Sequence, residues 1–167
     1  MNTETPRFID NGDGTVTDTK LGLMWSKATI TEADVTQHKA EDLCRELRLA
    51  DHADWRLPTV EELFALADRS RYNPAIDTEA FPDTSSEWYW TGTVAAWSSS
   101  HAWCVDFLHG YAGDGLRGSS FGLVRAVRSV PAGYVPDAVE EVEAVRADDA
   151  AWDAIDAMPA AARKGES

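Results

Sequence analysis

The stretch from Asp54 to Leu63 constrains the fold more than any other part of the chain. Thr59 and Glu62 stand three residues apart, which is the spacing of a capping box at the start of a helix. Pro58 disfavours the helical conformation in the residue before it, so an extended segment must enter that helix abruptly. These signals predict a helix from residue 60 to about residue 69, directly behind a corner of the chain.

The segments before this corner predict a hairpin and another helix. Between residues 7 and 25, Phe8-Ile9 leads into the turn Asp10–Gly14, whose Asp, Asn and Gly residues tolerate positive φ. Two short β-type segments follow this turn, at Thr15–Asp18 and Leu21–Trp25. Glycines occupy positions where an EF-hand loop needs oxygen ligands, so we predict a plain hairpin and no bound calcium. Between residues 36 and 49, apolar residues recur with the spacing i, i+3, i+4, i+7 of an amphipathic helix.

The segments after the corner predict a small antiparallel sheet. A long loop covers residues 72–87, and three strands are expected at 88–94, 102–108 and 121–130. The four glycines between residues 109 and 120 predict a flexible loop. Strands joined by such short connections pair most simply as an antiparallel meander.

An acidic tail follows, so we divide the chain into a domain of residues 1–130 and a tail of residues 131–167. The tail starts with a linker and continues as a predicted acidic helix at 137–158. Because an isolated helix of this length is marginal, it either packs back on the domain or docks on a partner chain or a second copy. Its docking positions would be Val139, Val142, Val145, Trp152, Ile155 and Met158.

The charge balance excludes two classes of partner. Fifteen basic and 29 acidic residues give a net charge of −14, whereas a nucleic-acid-binding protein needs basic patches that neutralise phosphates. Anionic membrane surfaces are excluded for the same reason. No run reaches the 18 apolar residues of a membrane span, and residues 1–6 are too polar for a signal-peptide core. We therefore expect a virion or cytoplasmic protein that binds neither nucleic acid nor membrane.

The two cysteines, Cys44 and Cys104, are far apart in the sequence. Reduced and buried thiols are the expected state in an intracellular protein. Cys44 falls on the apolar stripe of the helix at 36–49, which is typical of a packed side chain rather than of a nucleophile. A disulfide between the two cysteines remains open at this point.

Eight residues are assigned to the scaffold rather than to a ligand site. Trp and Arg side chains beside an abrupt helix start usually fill a corner of the core. The two arginines near the end of the domain are expected to pair with acidic residues at the rim of the core. The eight are Trp25, Trp55, Arg56, Pro58, Glu62, Trp90, Arg125 and Arg128.

A set of motifs in a particular order resembles the Lcl C-terminal domain family, which was named for the terminal domain of a bacterial collagen-like adhesin. The similarity covers roughly residues 7–130. It is carried by Gly14–Asp18, Leu21–Trp25, Ala40 with Cys44, Asp54–Thr59, Glu62–Leu63, Phe81–Pro82, Tyr89–Thr91 and Val124–Arg128. The resemblance implies an α+β, C-type-lectin-like fold, in which two helices pack on a small twisted antiparallel sheet with long loops.

The same resemblance implies several settings for the domain. Relatives occur as adhesin modules, as surface or secreted proteins and in phage virions, and one related fold is an oxidase that converts cysteine to formylglycine. Family members often carry a Cys between the two arginines of the last strand, where it could pair with the Cys of the first helix. Here that position is Ala126, so this bridge is not possible.

No catalytic constellation is predicted. His101 and His109 flank a strand that contains Cys104 and Asp106, but eight extended residues separate the two histidines by about 26 Å. The formylglycine-generating chemistry requires a closely placed reactive Cys pair, which two such distant cysteines do not predict. We therefore expect no enzyme activity, no metal and no cofactor.

The predicted function is recognition by exposed aromatic and charged side chains on loops over the last sheet, since such residues dominate binding energetics. We expect a non-enzymatic recognition or assembly module, such as a phage tail, fibre or decoration protein that binds a protein, a second copy or a glycan. The alternatives are an adhesin-type or intracellular ligand-binding domain, or an enzyme on a formylglycine-generating scaffold. The predicted binding residues are Trp97, His101, His109, Tyr111, Asp114, Arg117 and Phe121. Whether Trp97 and Tyr111 merely cap the core remains open.

Overall fold

The computed structural model describes residues 4–131, Tyr134 and Pro136. This part of the chain is a mixed α/β structure with two helices and two antiparallel sheets. The predicted acidic helix and its docking positions lie outside the described residues. The elements are β1 (Phe8–Asp10), β2 (Thr15–Asp18), β3 (Leu23–Ser26), α1 (Gln37–Glu46), α2 (Val60–Phe64), β4 (Trp88–Val94), β5 (His101–Asp106), β6 (Tyr111–Leu116) and β7 (Val127–Ser129).

The first sheet has the strand order β1-β2-β3-β7, so the first and last strands of the domain lie in one sheet. Trp25 pairs with Val16 on one side and with Val127 on the other, which places its buried indole at the centre of this sheet. The turn after β1 is held by Asp10, whose carboxylate accepts a hydrogen bond from the N–H of Gly12 at 3.0 Å. The hairpin predicted for residues 7–25 is confirmed, and its three segments form β1, β2 and β3.

The second sheet has the order β4-β5-β6. It differs from the predicted sheet both in the segment predicted as a loop at 109–120 and in the strand predicted at 121–130. Strand β6 occupies the segment that was predicted as a flexible loop. Gly113 and Gly115 lie within this strand, and a Cβ atom on them would come within 3.0 Å of the Trp88 ring and 3.1 Å of the Trp90 ring respectively. These glycines therefore make room for two indoles, which is a known role of glycine inside a strand.

The strand predicted at 121–130 is also wrong for most of its length. Only β7 is regular, and it pairs with β3 in the first sheet. The preceding residues connect the two sheets, since Gly122 exchanges backbone hydrogen bonds with Val35 and Leu123 pairs in parallel with Tyr89. Residues Leu123–Val127 are all buried. The segment is therefore buried on both faces, although its sequence alternates as a half-exposed strand would.

Both helices lie where they were predicted, but each is shorter. Thr36 caps α1, which ends three residues before the predicted boundary. Helix α2 ends at Phe64 instead of near residue 69, because the next turns tighten to i→i+3 hydrogen bonds, such as that from the N–H of Leu66 to the carbonyl of Leu63 at 3.0 Å. Leu66 is nevertheless buried, so the apolar spacing continues past the end of the helix.

The corner that leads into α2 has the predicted capping box. The hydroxyl of Thr59 accepts a hydrogen bond from the N–H of Glu62, and the carboxylate of Glu62 accepts one from the N–H of Thr59 at 2.8 Å. The same carboxylate binds the guanidinium of Arg56 through two hydrogen bonds of 2.7 and 2.9 Å. Glu62 thus joins the extended segment to the helix.

This arrangement predicts a pH-dependent contribution to stability. Burial on its own would raise the pKa of Glu62, but the hydrogen bonds from Arg56 and Thr59 outweigh it, and the net pKa is lowered. A lowered pKa means that the carboxylate stabilises the fold above its unfolded-state pKa, and that this stabilisation is lost as the pH falls through the folded-state pKa. We expect Glu62→Gln to lower the free energy of unfolding by about 1–3 kcal/mol at pH 7, and by progressively less below about pH 4.

Urea unfolding curves at a series of pH values would measure this difference. Glu61→Gln is the matched control, because Glu61 lies in the same first turn but is exposed. We expect its effect to stay at about 0.3–1 kcal/mol, the usual contribution of a charge near a helix end. A gap between wild type and Glu62→Gln that stays constant from pH 7 to pH 3 would contradict the assignment.

Two buried clusters form the core. The first lies between the sheets and includes Trp25, Leu63, Phe81, Tyr89, Val105 and Phe107. The second lies under α1 and includes Met24, Cys44, Trp55, Trp90, Cys104 and Val124. Neither helix in the described part of the chain has the length and the apolar run needed to cross a bilayer.

Candidate ligand-binding cleft and loop surface

A cleft of about 570 Å³ opens between three segments that are distant in the sequence. They are residues 29–34 after β3, residues 83–88 at the start of β4, and residues 121–123 in the connection between the sheets. Trp88 and Phe121 line this cleft and are 40% and 60% exposed. Four carboxylates complete its lining, and these belong to Glu32, Asp34, Asp83 and Glu87.

Arg125 holds the segments behind the cleft together. Its side chain is fully buried and donates hydrogen bonds to the carbonyls of Ser26, at 2.7 Å, and Lys27. On the other side it donates to Thr84 at 2.9 Å and forms a 3.4 Å ion pair with Asp83. Burial lowers the pKa of this arginine. Its guanidinium therefore ties the chain after β3 to the loop before β4.

Two aromatic side chains fix the remaining walls. The hydroxyl of Tyr89 hydrogen-bonds to Thr29 at 2.7 Å and accepts from the N–H of Ser85 at 3.0 Å, so it joins two edges of the cleft. The indole N–H of Trp90 donates to the carbonyl of Val35 at 2.8 Å, just after the segment that carries Glu32. The cleft is thus supported by buried side chains and by the second sheet.

A smaller cavity of about 190 Å³ lies beside the cleft and shares Trp88 and Phe121 with it. Trp90, Gly115 and Ser120 line its other sides. Trp88 and Phe121 therefore contribute to two neighbouring concave surfaces, and each remains partly open to solvent.

The seven predicted binding residues do not form one surface patch. Trp97, His101 and Asp114 gather at one end of the second sheet, where Nδ1 of His101 lies 2.8 Å from Asp114 and the Trp97 ring meets Trp103 edge-on at 5.5 Å. His109 and Tyr111 lie together at the turn between β5 and β6, with their ring centroids 6.0 Å apart. Phe121 is the only one of the seven that lines the main cleft.

Arg117 differs from the exposed position that the sequence predicts. Its side chain is 19% exposed and forms an ion pair with Glu41 at 3.2 Å. Its Nε also donates to the buried side chain of Gln37 at 2.8 Å. Arg117 thus connects the second sheet to α1. The sequence around Arg117 does not indicate this role, because both acceptors, Gln37 and Glu41, lie on α1.

The family comparison agrees with the extent of the described domain. The profile of the Lcl C-terminal domain matches residues 14–128, which is more than half of the chain. The chain belongs to the Lcl C-terminal domain family. This match begins at the hairpin turn before β2 and ends within β7. A comparison with curated proteins finds no match.

The cysteines of this Lcl C-terminal domain are both free and buried. Cys44 and Cys104 belong to the same core cluster as Ala126. Burial raises the pKa of each thiol to about 12, and nearby carboxylates add to the effect. Because the thiolate is the reactive form, both side chains are poor nucleophiles near neutral pH.

The scaffold arginines of the domain pair with acidic residues. Arg125 contacts Asp83, and Arg128 binds Asp54 through hydrogen bonds of 2.6 and 3.2 Å. Trp55 and Trp90 are buried in the second core cluster. Within the described residues, no group of three or more His, Cys, Asp or Glu side chains is arranged to hold a metal ion.

Sequence reasoning missed most of the cleft. The sequence predicts Trp88 only as the start of a strand, and it indicates no site for the segment with Glu32 and Asp34. The sequence offers two signals for the cleft: the acidic residues on either side of Ala33, and a Trp at the start of an aromatic strand. They are about 55 residues apart in the chain, and nothing local indicates that they face one opening.

Proposed function

We propose that this protein is a non-enzymatic recognition module that binds a protein partner in the cleft between Glu32 and Phe121. The observation that carries the proposal is the exposure of Trp88 and Phe121 in the lining of this cleft. Partly exposed aromatic side chains in a concave, rigidly supported site are typical anchors for a partner. Trp97, which precedes β5, and Tyr111, the first residue of β6, are 61% and 60% exposed and would offer separate contact points outside the cleft.

We further propose that the domain has a C-type-lectin-like fold. In support, β1 and β7 lie in one sheet through β2 and β3, which brings the start and end of the domain together. The second sheet, β4-β5-β6, is separate, and the loop before β4 and the connection after β6 form two of the three segments that line the cleft. This division gives one sheet a structural role and leaves the loops of the other free to vary, as in many binding folds.

A non-enzymatic role is supported by the state of the two thiols. An oxidase of the formylglycine-generating type needs a reactive cysteine pair, whereas here burial raises the pKa of both Cys44 and Cys104. His101 is hydrogen-bonded to Asp114 and shares no hydrogen bond with either cysteine. The enzyme alternative therefore has weaker support than recognition.

For the biological setting we propose a structural accessory of a virion, such as a tail, fibre or decoration protein. This proposal draws on the family resemblance and on the apolar positions of the acidic tail, which suit docking on another chain. An adhesin-type or intracellular ligand-binding domain would use the same cleft with a different partner. Self-association and glycan binding are further outcomes that the experiment below distinguishes.

The test uses the chain of residues 1–167 against a displayed library of random peptides and an array of glycans. We expect peptide ligands whose affinity falls about tenfold or more in Phe121→Ala, the usual loss at a binding hot spot. Tyr72→Ala is the matched control, because Tyr72 is 78% exposed but lies outside the cleft. Light scattering on the same samples reports self-association.

Two results would overturn this proposal. Ligands that bind Phe121→Ala, Trp88→Ala and Trp97→Ala as well as wild type would show that this surface is not the binding face. Binding to glycans alone, with loss in the same variants, would replace the protein partner with a carbohydrate. Circular dichroism of each variant would establish that the fold is retained.

A further inference from the structure

We propose that the cleft receives a basic side chain of the partner protein, above all an arginine. This inference rests on the proposed recognition function and deepens it by naming the chemistry of the ligand. It is carried by three features of the same opening: its carboxylates, its two aromatic walls and its size.

The lining of the cleft is strongly acidic. Glu32, Asp34 and Glu87 are exposed, and their carboxylates make no hydrogen bond or ion pair within the described part of the chain. Asp83 is the exception, since it accepts from the N–H of Thr29 and from the buried Arg125. Three carboxylates are therefore open to hydrogen-bond donors from a cationic ligand, which form the stronger class of hydrogen bond.

The aromatic walls favour a guanidinium over an ammonium. The ring of Trp88 lies across Gly113, where an added Cβ would approach to 3.0 Å, so the indole is supported from below by the sheet. Phe121 presents a second exposed ring in the same lining. Guanidinium groups stack on aromatic faces, are weakly hydrated and bind carboxylates in a bidentate manner. Arginine can use both kinds of wall at once.

The size and charge of the site favour a protein as the source of this arginine. A volume of about 570 Å³ exceeds that of one side chain, so the cleft leaves room for the backbone on either side of the arginine. The net charge of −14 attracts a basic partner over long distances and repels acidic glycans. Both properties describe a basic, extended segment of another protein.

The binding test uses a peptide of sequence fluorescein-Gly-Arg-Gly-Arg-Gly-amide, with the label on its N-terminal amine, and the chain of residues 1–167. The matched peptide replaces each arginine with citrulline, which has nearly the same shape but no charge. We expect the citrulline peptide to bind at least about tenfold more weakly by fluorescence anisotropy, since charged hydrogen bonds are lost. Binding of the arginine peptide should also weaken with added salt.

Two double variants separate the cleft from the general negative charge of the protein. Glu32→Gln with Glu87→Gln removes two carboxylates from the lining, and we expect a loss of about tenfold or more. Glu46→Gln with Glu61→Gln removes the same charge from exposed positions outside the cleft, and we expect a change of less than about twofold. Phe121→Ala should weaken binding about threefold or more through loss of the stacked ring.

The inference is overturned if the two double variants weaken binding equally, or if the citrulline peptide binds as well as the arginine peptide. Stoichiometric calcium binding, or displacement of the peptide by glucosamine at lower concentration than by free arginine amide, would replace the proposed ligand class. If library peptides depend on Phe121 but the arginine peptide does not bind, only the ligand chemistry is wrong. If no ligand depends on Phe121, Trp88 or Trp97, the recognition function itself fails.

Discussion

Replacement of Arg125 by Met is expected to lower the free energy of unfolding by about 3–5 kcal/mol. The guanidinium is fully buried and donates to the carbonyls of Ser26 and Lys27 and to the hydroxyl of Thr84. Methionine fills part of the volume but leaves these buried acceptors without a donor. An unsatisfied buried acceptor retains the full cost of its desolvation, which is why the loss exceeds that of an ordinary hydrogen bond.

Urea unfolding of wild type and variant at pH 7 would measure this loss. Arg45→Met is the matched control, because Arg45 is 70% exposed and its ion pair with Asp42 lies within α1. Exposed pairs of this kind contribute about 0.3–0.5 kcal/mol. Arg125→Lys should fall between the two, since an ammonium keeps the charge but cannot reach all the acceptors. Equal effects of Arg125→Met and Arg45→Met would show that Arg125 does not tie the cleft segments together.

Replacement of Trp90 by Ala is expected to cost about 3–5 kcal/mol, the usual range for removal of a buried large aromatic side chain. The Trp90 indole is only 2% exposed and packs under Gly115 and Gly122, so its removal leaves a cavity that the sheet cannot easily fill. The variant also loses the 2.8 Å hydrogen bond to the carbonyl of Val35. Both effects act on the wall that supports the cleft.

The control for this variant is Trp97→Ala. Trp97 is 61% exposed, and its main aromatic contact is one edge-on neighbour, so we expect a cost of about 1 kcal/mol or less. Trp90→Phe keeps a ring but not the N–H donor and should give an intermediate value in thermal and urea unfolding. Trp90→Ala and Trp97→Ala variants of equal stability would contradict the assignment of Trp90 to the core.

The parts of the fold that were predicted correctly depend on short-range chemistry. The turn at Asp10–Gly14, the apolar spacing of α1 and the capping box of Thr59 and Glu62 each depend on residues within a few positions of one another. Residue types at these spacings strongly favour such interactions, because the partners are already close along the chain. The structure accordingly places the hairpin and both helix starts where the sequence predicts them.

The errors come from residues whose roles depend on distant neighbours. Gly113 and Gly115 have the composition of a loop, but they lie in a strand because the rings of Trp88 and Trp90 cover them. The segment Leu123–Val127 has the alternation of a strand, yet most of it bridges the two sheets. A single sequence does not indicate which indole lies over which glycine.

The family of the protein follows from local sequence, whereas its candidate site depends on contacts between distant residues. The ordered motifs between Gly14 and Arg128 are each local, and they sufficed to place the chain among Lcl C-terminal domains, as the match over residues 14–128 confirms. The cleft exists only in the folded chain, because Arg125 joins residues that lie 41 and 99 positions away from it. Local hydrogen bonds determined the corner before α2 and the helix starts, so the sequence alone predicts them. The buried side chain of Arg125 joins segments that are distant in the sequence, and only this tertiary contact brings the carboxylates and aromatic rings of the cleft together.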